Sequence, residues 1–229
     1  MIRRNMNDEA GARSDGLMIV SVIFITAFTY IALTTDPVYT GVGVGDRAPG
    51  LSGQIYNGST WVDFDLKEQF NDSWVEGDPG TYYLVEFMDT NCGICVSHAS
   101  EKFPSAQSKW LGVNGQEPTR SMPNGTSVQF LAVSISLWDE SVAGKDYGRD
   151  VIIQFRDAVN YDGETTRSGG THNFPYMDMQ DNGHQDDWGN FGTPTYFIID
   201  PSGIIQYTNL EDPGYDFRDA LEDIVPRGE

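Results

Sequence analysis

The chain has 229 residues, 34 acidic side chains against 14 basic ones, and a formal net charge of −20. A field of that sign repels nucleic acid and anionic membrane surfaces, which excludes both as partners and favours neutral or basic proteins. What remains after an N-terminal tail suits one domain with a sizeable core, and neither a repeat nor a low-complexity run divides it.

Residues 1–16 read as a polar tail carrying Arg3, Arg4 and Arg13. Leu17 to Leu33 (LMIVSVIFITAFTYIAL) then runs without a charge, at the short end of the roughly 17 to 25 residues that cross a bilayer as a helix. No convincing small-x-small cleavage site follows, so the segment is expected to be a retained signal anchor, not a cleaved signal peptide. The arginines precede it and the acids Asp8, Glu9 and Asp15 count little, which predicts a single-pass cell-membrane protein with a cytoplasmic N-terminus and everything after about residue 36 outside. Disulfides form and persist in such compartments. Asn57-Gly-Ser, Asn71-Asp-Ser and Asn124-Gly-Thr match the N-glycosylation pattern of an exported chain, a pattern that chance also produces.

Residues 34–45 mix Pro, Gly and Thr and read as a linker, with one folded domain over 46–229. Tyr82 to Met88 (YYLVEFM) is predicted to be a buried strand. After it, Val96, Ala99, Phe103, Ala106 and Trp110 recur at helical spacing, with Pro104 predicting a kink or break. Val128 to Ile135 reads as a central parallel strand, and Tyr147, Val151, Ile152, Phe155 and Val159 mark a second amphipathic helix. Tyr196–Ile199, the turn Asp200-Pro-Ser-Gly203 and Ile204–Tyr207 form a hairpin. Asp216 then caps a last helix lined by Phe217, Ala220, Leu221 and Ile224. The stretch 160–190 is long, polar and rich in Asp, Gly and His, either a lid or partner-binding loop or a disordered insertion.

The two cysteines of the chain, Cys92 and Cys95, frame Cys-Gly-Ile-Cys between a strand and a helix. Free amides and the positive dipole end of a helix favour a thiolate, so Cys92 is expected to be the nucleophile, with a pKa in the roughly 3.5–7.5 range of activated thiols. Cys95, one turn inside, would resolve a mixed disulfide and leave a Cys92–Cys95 disulfide. A static disulfide or half of a metal site are the alternatives. Glu86 sits in an otherwise apolar strand, a costly place for a carboxylate. It is either a proton-transfer group of raised pKa beneath the thiols or an edge acid facing solvent.

Gly45-Asp-Arg-Ala-Pro49, Leu84-Val-Glu-Phe87 followed by Cys92-Gly-Ile-Cys95, and Phe191-Gly-Thr-Pro-Thr-Tyr-Phe-Ile-Ile-Asp200 together resemble the thioredoxin superfamily. The similarity covers residues 44–225 and is greatest to the membrane-anchored TlpA-type members related to cytochrome c maturation thioredoxins. The resemblance implies an α/β thioredoxin-like fold, a central mixed sheet flanked by helices, and a thiol-disulfide oxidoreductase that needs no cofactor or metal. It implies a cis Thr193–Pro194 bond facing the cysteines, with the Thr193 backbone free to pair with an extended substrate and the proline discouraging metal capture. It also places Glu86 at the family's buried acid. Asn91 stands where tryptophan is usual and Ile94 where proline is common. Gly93 and Ile94 are thus substrate-facing positions that tune potential and docking, and the direction of electron flow stays open, with a reductant favoured. Protein thiols are the expected substrates, with a membrane redox protein as electron partner.

Two other uses of such a fold compete. A peroxiredoxin-type peroxidase would carry Pro-x-x-x-Thr-x-x-Cys, which is absent around Cys92. A copper or other metal-delivery protein would draw on Cys92, Cys95 and His98, with His172 or His184 completing a soft site.

Overall fold

The computed structural model describes residues 7–34, 38–135, 148–179, 187–189 and 192–228. It divides into two compact units, Met1–Val38 and Tyr39–Glu229.

The first unit holds one helix, α1 (Asn7–Thr34). Its described side chains cover residues 15–31, and the large apolar ones from Leu17 to Ile31 are exposed. The hydroxyls of Ser21 and Thr26 donate back to the carbonyls of Leu17 and Val22 at 2.9 and 2.7 Å, so these polar groups are satisfied within the helix. Among the described residues no helix is long and apolar enough to cross a membrane.

The second unit is built on one seven-stranded mixed sheet. Its strands are β1 (Ser52–Tyr56), β2 (Trp61–Asp65), β3 (Thr81–Met88), β4 (Ser127–Ser134), β5 (Tyr176–Asp178), β6 (Thr195–Ile199) and β7 (Ile205–Thr208), in the order β2-β1-β5-β4-β3-β6-β7. β3, β4 and β5 run parallel, while β6 joins β3 and β1 joins β5 antiparallel. The described helices of this unit that pack on the sheet include α2 (Gly93–Glu101), α3 (Phe103–Trp110), α4 (Arg149–Asp157) and α5 (Phe217–Ile224).

Alternation along β3 decides what each face buries. Tyr82, Leu84 and Met88 join residues of α2, α3, α4 and α5, among them Cys95, Phe103, Ile152 and Phe217. Tyr83, Val85 and Phe87 face a second cluster with Leu131, Val133, Phe197 and Ile199. No residue of α2–α5 enters that second cluster; Leu51, Leu66 and Trp188 cover it instead. Trp188 lies 5.0 Å from both Phe87 and Phe197 and donates its indole N–H to the Gly50 carbonyl at 3.0 Å.

The predicted break at Pro104 falls at Lys102, which ends α2 and caps α3, leaving Pro104 in the first turn of α3 where no N–H is required of it. In the β6–β7 turn, Asp200 Oδ1 accepts from the backbone N–H groups of Ser202 and Ile204. Gly203 takes φ +89° there, in the left-handed region. Asp216 caps α5 by accepting from Arg218 N–H at 3.0 Å.

Three features were not legible in advance. The β1–β2 hairpin is held by Asn57, whose carboxamide oxygen accepts from the N–H groups of Ser59 and Thr60. The folded unit reaches back to Tyr39: Arg47 N–H donates to the Tyr39 carbonyl, Gly45 N–H to Ile205, and Ala48 N–H to Gly203. The described part of 160–190 packs into the folded unit. It supplies β5, the buried Phe174 and Met179, and two buried polar anchors, Arg167 and His172. Tyr147 and His184 lie outside the described residues.

Candidate active site

β3 ends at Met88, and the turn that follows is pinned by Asp89, whose carboxylate accepts from Asn91 N–H at 2.8 Å while its carbonyl accepts from Cys92 N–H at 3.0 Å. Cys92 is thereby placed as the N-cap of α2. Its Sγ accepts from the Cys95 N–H at 3.2 Å, the side-chain-to-backbone bond that satisfies an otherwise orphaned helix-start donor. The same thiol donates to the Thr193 carbonyl at 3.4 Å. Both thiols are free, Cys92 half-buried and Cys95 buried.

The Thr193–Pro194 peptide bond is cis, as the family likeness implies. Its loop is held by Asn209, which sequence reasoning did not single out. The Asn209 carboxamide accepts from Tyr196 N–H at 2.7 Å and donates to the Pro194 carbonyl at 3.3 Å, and Thr195 Oγ1 donates to Gly192 at 2.6 Å. Gly93 and Ile94 are exposed beside Cys92, Ile94 at 60% of its surface. The structure therefore brings Cys92, Cys95, Gly93, Ile94, Thr193 and Pro194 to one place.

Glu86 lies below. Strand alternation sends it to the face of Leu84 and Met88, which is the face that holds Cys95. Across the sheet it pairs with Ala132 on β4 and Tyr196 on β6. It is 3% exposed, and Tyr196 Oη donates to its Oε1 at 3.1 Å. Burial pushes the Glu86 carboxyl up to about 8, although the Tyr196 hydrogen bond and the Arg167 charge pull the other way. Of the two readings of this residue, the buried acid is the one realised, and the edge acid facing solvent is not. Burial also pushes the Cys95 thiol well up, and the Cys92 sulfur and the Glu86 charge add to that. A thiol so raised is protonated at neutral pH and needs a base before it can attack.

Two histidines weighed for a metal site are committed elsewhere. His172 is fully buried: Nε2 is 2.9 Å from the Ala99 carbonyl and Nδ1 is 2.7 Å from Tyr176 Oη. A carbonyl only accepts, so Nε2 carries the hydrogen and Nδ1 accepts from tyrosine. Burial holds this imidazole neutral, its pKa lowered to about 3. His98 Nδ1 lies 2.7 Å from Tyr196 Oη. Among the described residues no three His, Cys, Asp or Glu side chains gather as metal ligands. Arg167 donates to the carbonyls of Phe155, Ala99, Ser168 and Arg156, which fastens the 160–174 segment to α2 and α4.

The fold is thioredoxin-like, with a Cys-x-x-Cys pair opening a helix opposite a cis-proline. No family model and no curated protein matches the chain. Among solved structures, the reduced 2-Cys peroxiredoxin of Plasmodium vivax is similar at 13% identity and a TM-score of 0.50, over 79% of this chain and 96% of that one. The thioredoxin domain of a Bacteroides vulgatus thiol-disulfide oxidoreductase is similar at 16% identity and a TM-score of 0.48, over 81% and 99%. A thiol:disulfide interchange protein from a Bacteroides species follows at 16% and 0.44, over 82% and 91%. At 13% identity the peroxiredoxin likeness shows the fold alone, and that fold is thioredoxin-like.

Because folding raises the Glu86 pKa, the folded chain binds one more proton than the unfolded chain between about pH 4.5 and 8. Stability from this group is therefore fully present at the low end of that window and is lost as pH rises through it. In urea unfolding from about pH 5 to 9, Glu86→Gln is expected to flatten that decline. Superimposable profiles for the two proteins would show that Glu86 is not the titrating group.

Proposed function

We propose that the protein is a thiol-disulfide oxidoreductase that exchanges the Cys92–Cys95 pair with protein cysteines. The observation that carries this is the placement of the Cys92 thiol: it caps α2, touches the Thr193 carbonyl, and has the buried Cys95 one turn behind it and Glu86 beneath. As a reductant, Cys92 loses its thiol proton to water, its thiolate attacks a substrate disulfide, and one substrate sulfur leaves as a thiolate that takes a proton from water. The Cys95 thiol then gives its proton to the Glu86 carboxylate and attacks Cys92 Sγ. The mixed disulfide breaks, the Cys92–Cys95 disulfide forms, and the second substrate sulfur leaves as a thiolate that takes a proton from water, so the substrate departs as a dithiol. A dithiol on a second protein reverses these steps and restores the pair, so no cofactor enters.

The reductant direction rests on the likeness to TlpA-type proteins, whose relatives keep cysteines reduced before haem attachment, and apocytochrome thiols are the corresponding substrate class. The peroxiredoxin likeness is one of fold; a peroxidase reading has no support in the Cys92 surroundings, which lack the expected Pro-x-x-x-Thr-x-x-Cys. An exposed Ile94 beside the nucleophile supports docking of an extended, partly apolar substrate segment, and the net charge of −20 favours a neutral or basic one.

In the same reading α1 is a signal anchor that holds the domain outside the cell membrane. The uncharged run from Leu17 to Leu33, its exposed apolar side chains and the arginines ahead of it support this. Tethering raises the effective concentration of a membrane-embedded electron partner.

With a peptide disulfide as substrate, Cys95→Ser is expected to accumulate a stable mixed disulfide on Cys92, visible as a mass adduct. Cys92→Ser is expected to form none, and Glu86→Gln to slow resolution by about a hundredfold. Equal adducts on both cysteine variants would refute the assigned roles. The full chain is expected to stay with membranes through an alkaline wash and to react at Cys92 with a membrane-impermeant thiol reagent in intact cells, whereas a chain lacking residues 1–33 should not stay with them. A full chain found in the wash, or a Cys92 protected in intact cells, would contradict the topology.

A further inference from the structure

Between Glu86 and the protein surface runs a chain of side chains that thiol exchange alone does not require. Tyr196 Oη bridges two partners, Glu86 Oε1 at 3.1 Å and His98 Nδ1 at 2.7 Å. Tyr196 and Glu86 are buried, while His98 is half-exposed on α2, three residues beyond Cys95. The histidine and tyrosine rings stack with centroids 6.0 Å apart and planes 27° off parallel. A hydroxyl donates and accepts at one atom, so this arrangement is a continuous hydrogen-bonded path from a buried carboxyl to an imidazole that reaches water.

Resting on the exchange reading above, we propose that Tyr196 and His98 are the proton relay of the site: they carry to solvent the proton that Glu86 takes from Cys95, and return one when the pair is reduced again. In the outward step, protonated Glu86 donates to Tyr196 Oη as the tyrosine proton passes to His98 Nδ1. Glu86 is left as carboxylate and His98 as imidazolium, which then loses its Nε2 proton to water. In the reducing half-cycle water protonates Nε2, the Nδ1 proton passes to tyrosine and the tyrosine proton to Glu86, and Glu86 protonates the Cys95 thiolate. Each half-cycle ends with the imidazole tautomer that the other half needs, so the relay resets without a further reactant.

The surroundings fit a neutral, transiently charged imidazole. Burial lowers the His98 pKa, and Lys102 and Arg218 lower it further, while Asp216 and Glu101 oppose them. Lys102 and Asp216 are themselves paired at 2.9 Å. At the inner end Glu86 faces Arg167, Tyr176, Tyr196 and Cys95. Of these, Tyr176 gives its hydroxyl to the buried His172 and Arg167 is spent on backbone carbonyls. Tyr196 is the one that leads from Glu86 toward the half-exposed His98.

A coloured aromatic disulfide, 5,5′-dithiobis(2-nitrobenzoate), separates the steps in the full-length chain in detergent, because Cys92 releases one thionitrobenzoate in a first phase and Cys95 the second. His98→Ala is expected to lower the ratio of second-phase to first-phase rate by about tenfold. That is less than the roughly 10²–10⁴-fold of a group at the reacting atom, since water substitutes in part. Added imidazole should restore it. Tyr196→Phe keeps the ring and removes the hydroxyl, and should lower the ratio with no response to imidazole. A ratio unchanged in both variants, or a slowed His98→Ala that imidazole leaves slow, overturns the relay. Absence of a second phase in the unsubstituted chain would instead overturn the exchange reading itself.

Discussion

A carboxyl group forced into the middle of a sheet is the constraint on which the site depends. Glu86 makes almost no direct contact with bulk water because β3 is flanked on both sides, by β4 and β6, and its face is covered by helices. An isolated carboxylate there is costly, so the group keeps its proton to unusually high pH and finds a donor in Tyr196. The consequences spread outward. Ala132 opposite Glu86 is small, and Tyr196 on the other side must present its hydroxyl, which draws His98 to the same atom. A carboxyl poised near neutrality is also what a strongly raised Cys95 thiol needs in order to become a nucleophile.

The exposed half of the site is organised differently, by backbone and not by charge. Asp89 shapes the turn that delivers Cys92, Asn209 holds the Pro194 loop from the far end of β7, and the two meet at the contact between the Cys92 thiol and the Thr193 carbonyl. Beneath them the 160–174 segment braces α2 through Arg167 and His172, which share the Ala99 carbonyl. The Cys92 thiol, the Pro194 loop and the buried Glu86 thus sit on elements fixed from three directions, the rigidity that the proposed exchange through a covalent intermediate requires.

Much of this was legible in the chain because local signals were strong. The continuous apolar runs of β3 and β4, the helix spacing after Cys92, the Asp200-to-Gly203 turn and the Asp216 cap each announce one structure. Glu86 stands out because it interrupts an apolar run. What escaped notice lacks such a signal. β5 is three residues long and lies in a stretch otherwise rich in Asp, Gly and Asn, and its partners, β1 and β4, are distant in sequence. Arg167 and His172 look like surface residues until the carbonyls that satisfy them are assembled by the fold. Tyr196 reads as one more strand aromatic, and only the antiparallel register of β6 against β3 sets its hydroxyl beside Glu86. Asn209 is invisible for the same reason, since its partners lie across the hairpin.

The central claim is that Cys92 and Cys95 interconvert between dithiol and disulfide as a working couple. Equilibrating the protein with glutathione or dithiothreitol buffers of graded ratio, and counting free thiols at each, tests it most directly. The account predicts one reversible two-electron transition, near or below thioredoxin's roughly −270 mV for a reductant. A pair that forms no reversible intramolecular disulfide at any buffer ratio would contradict it.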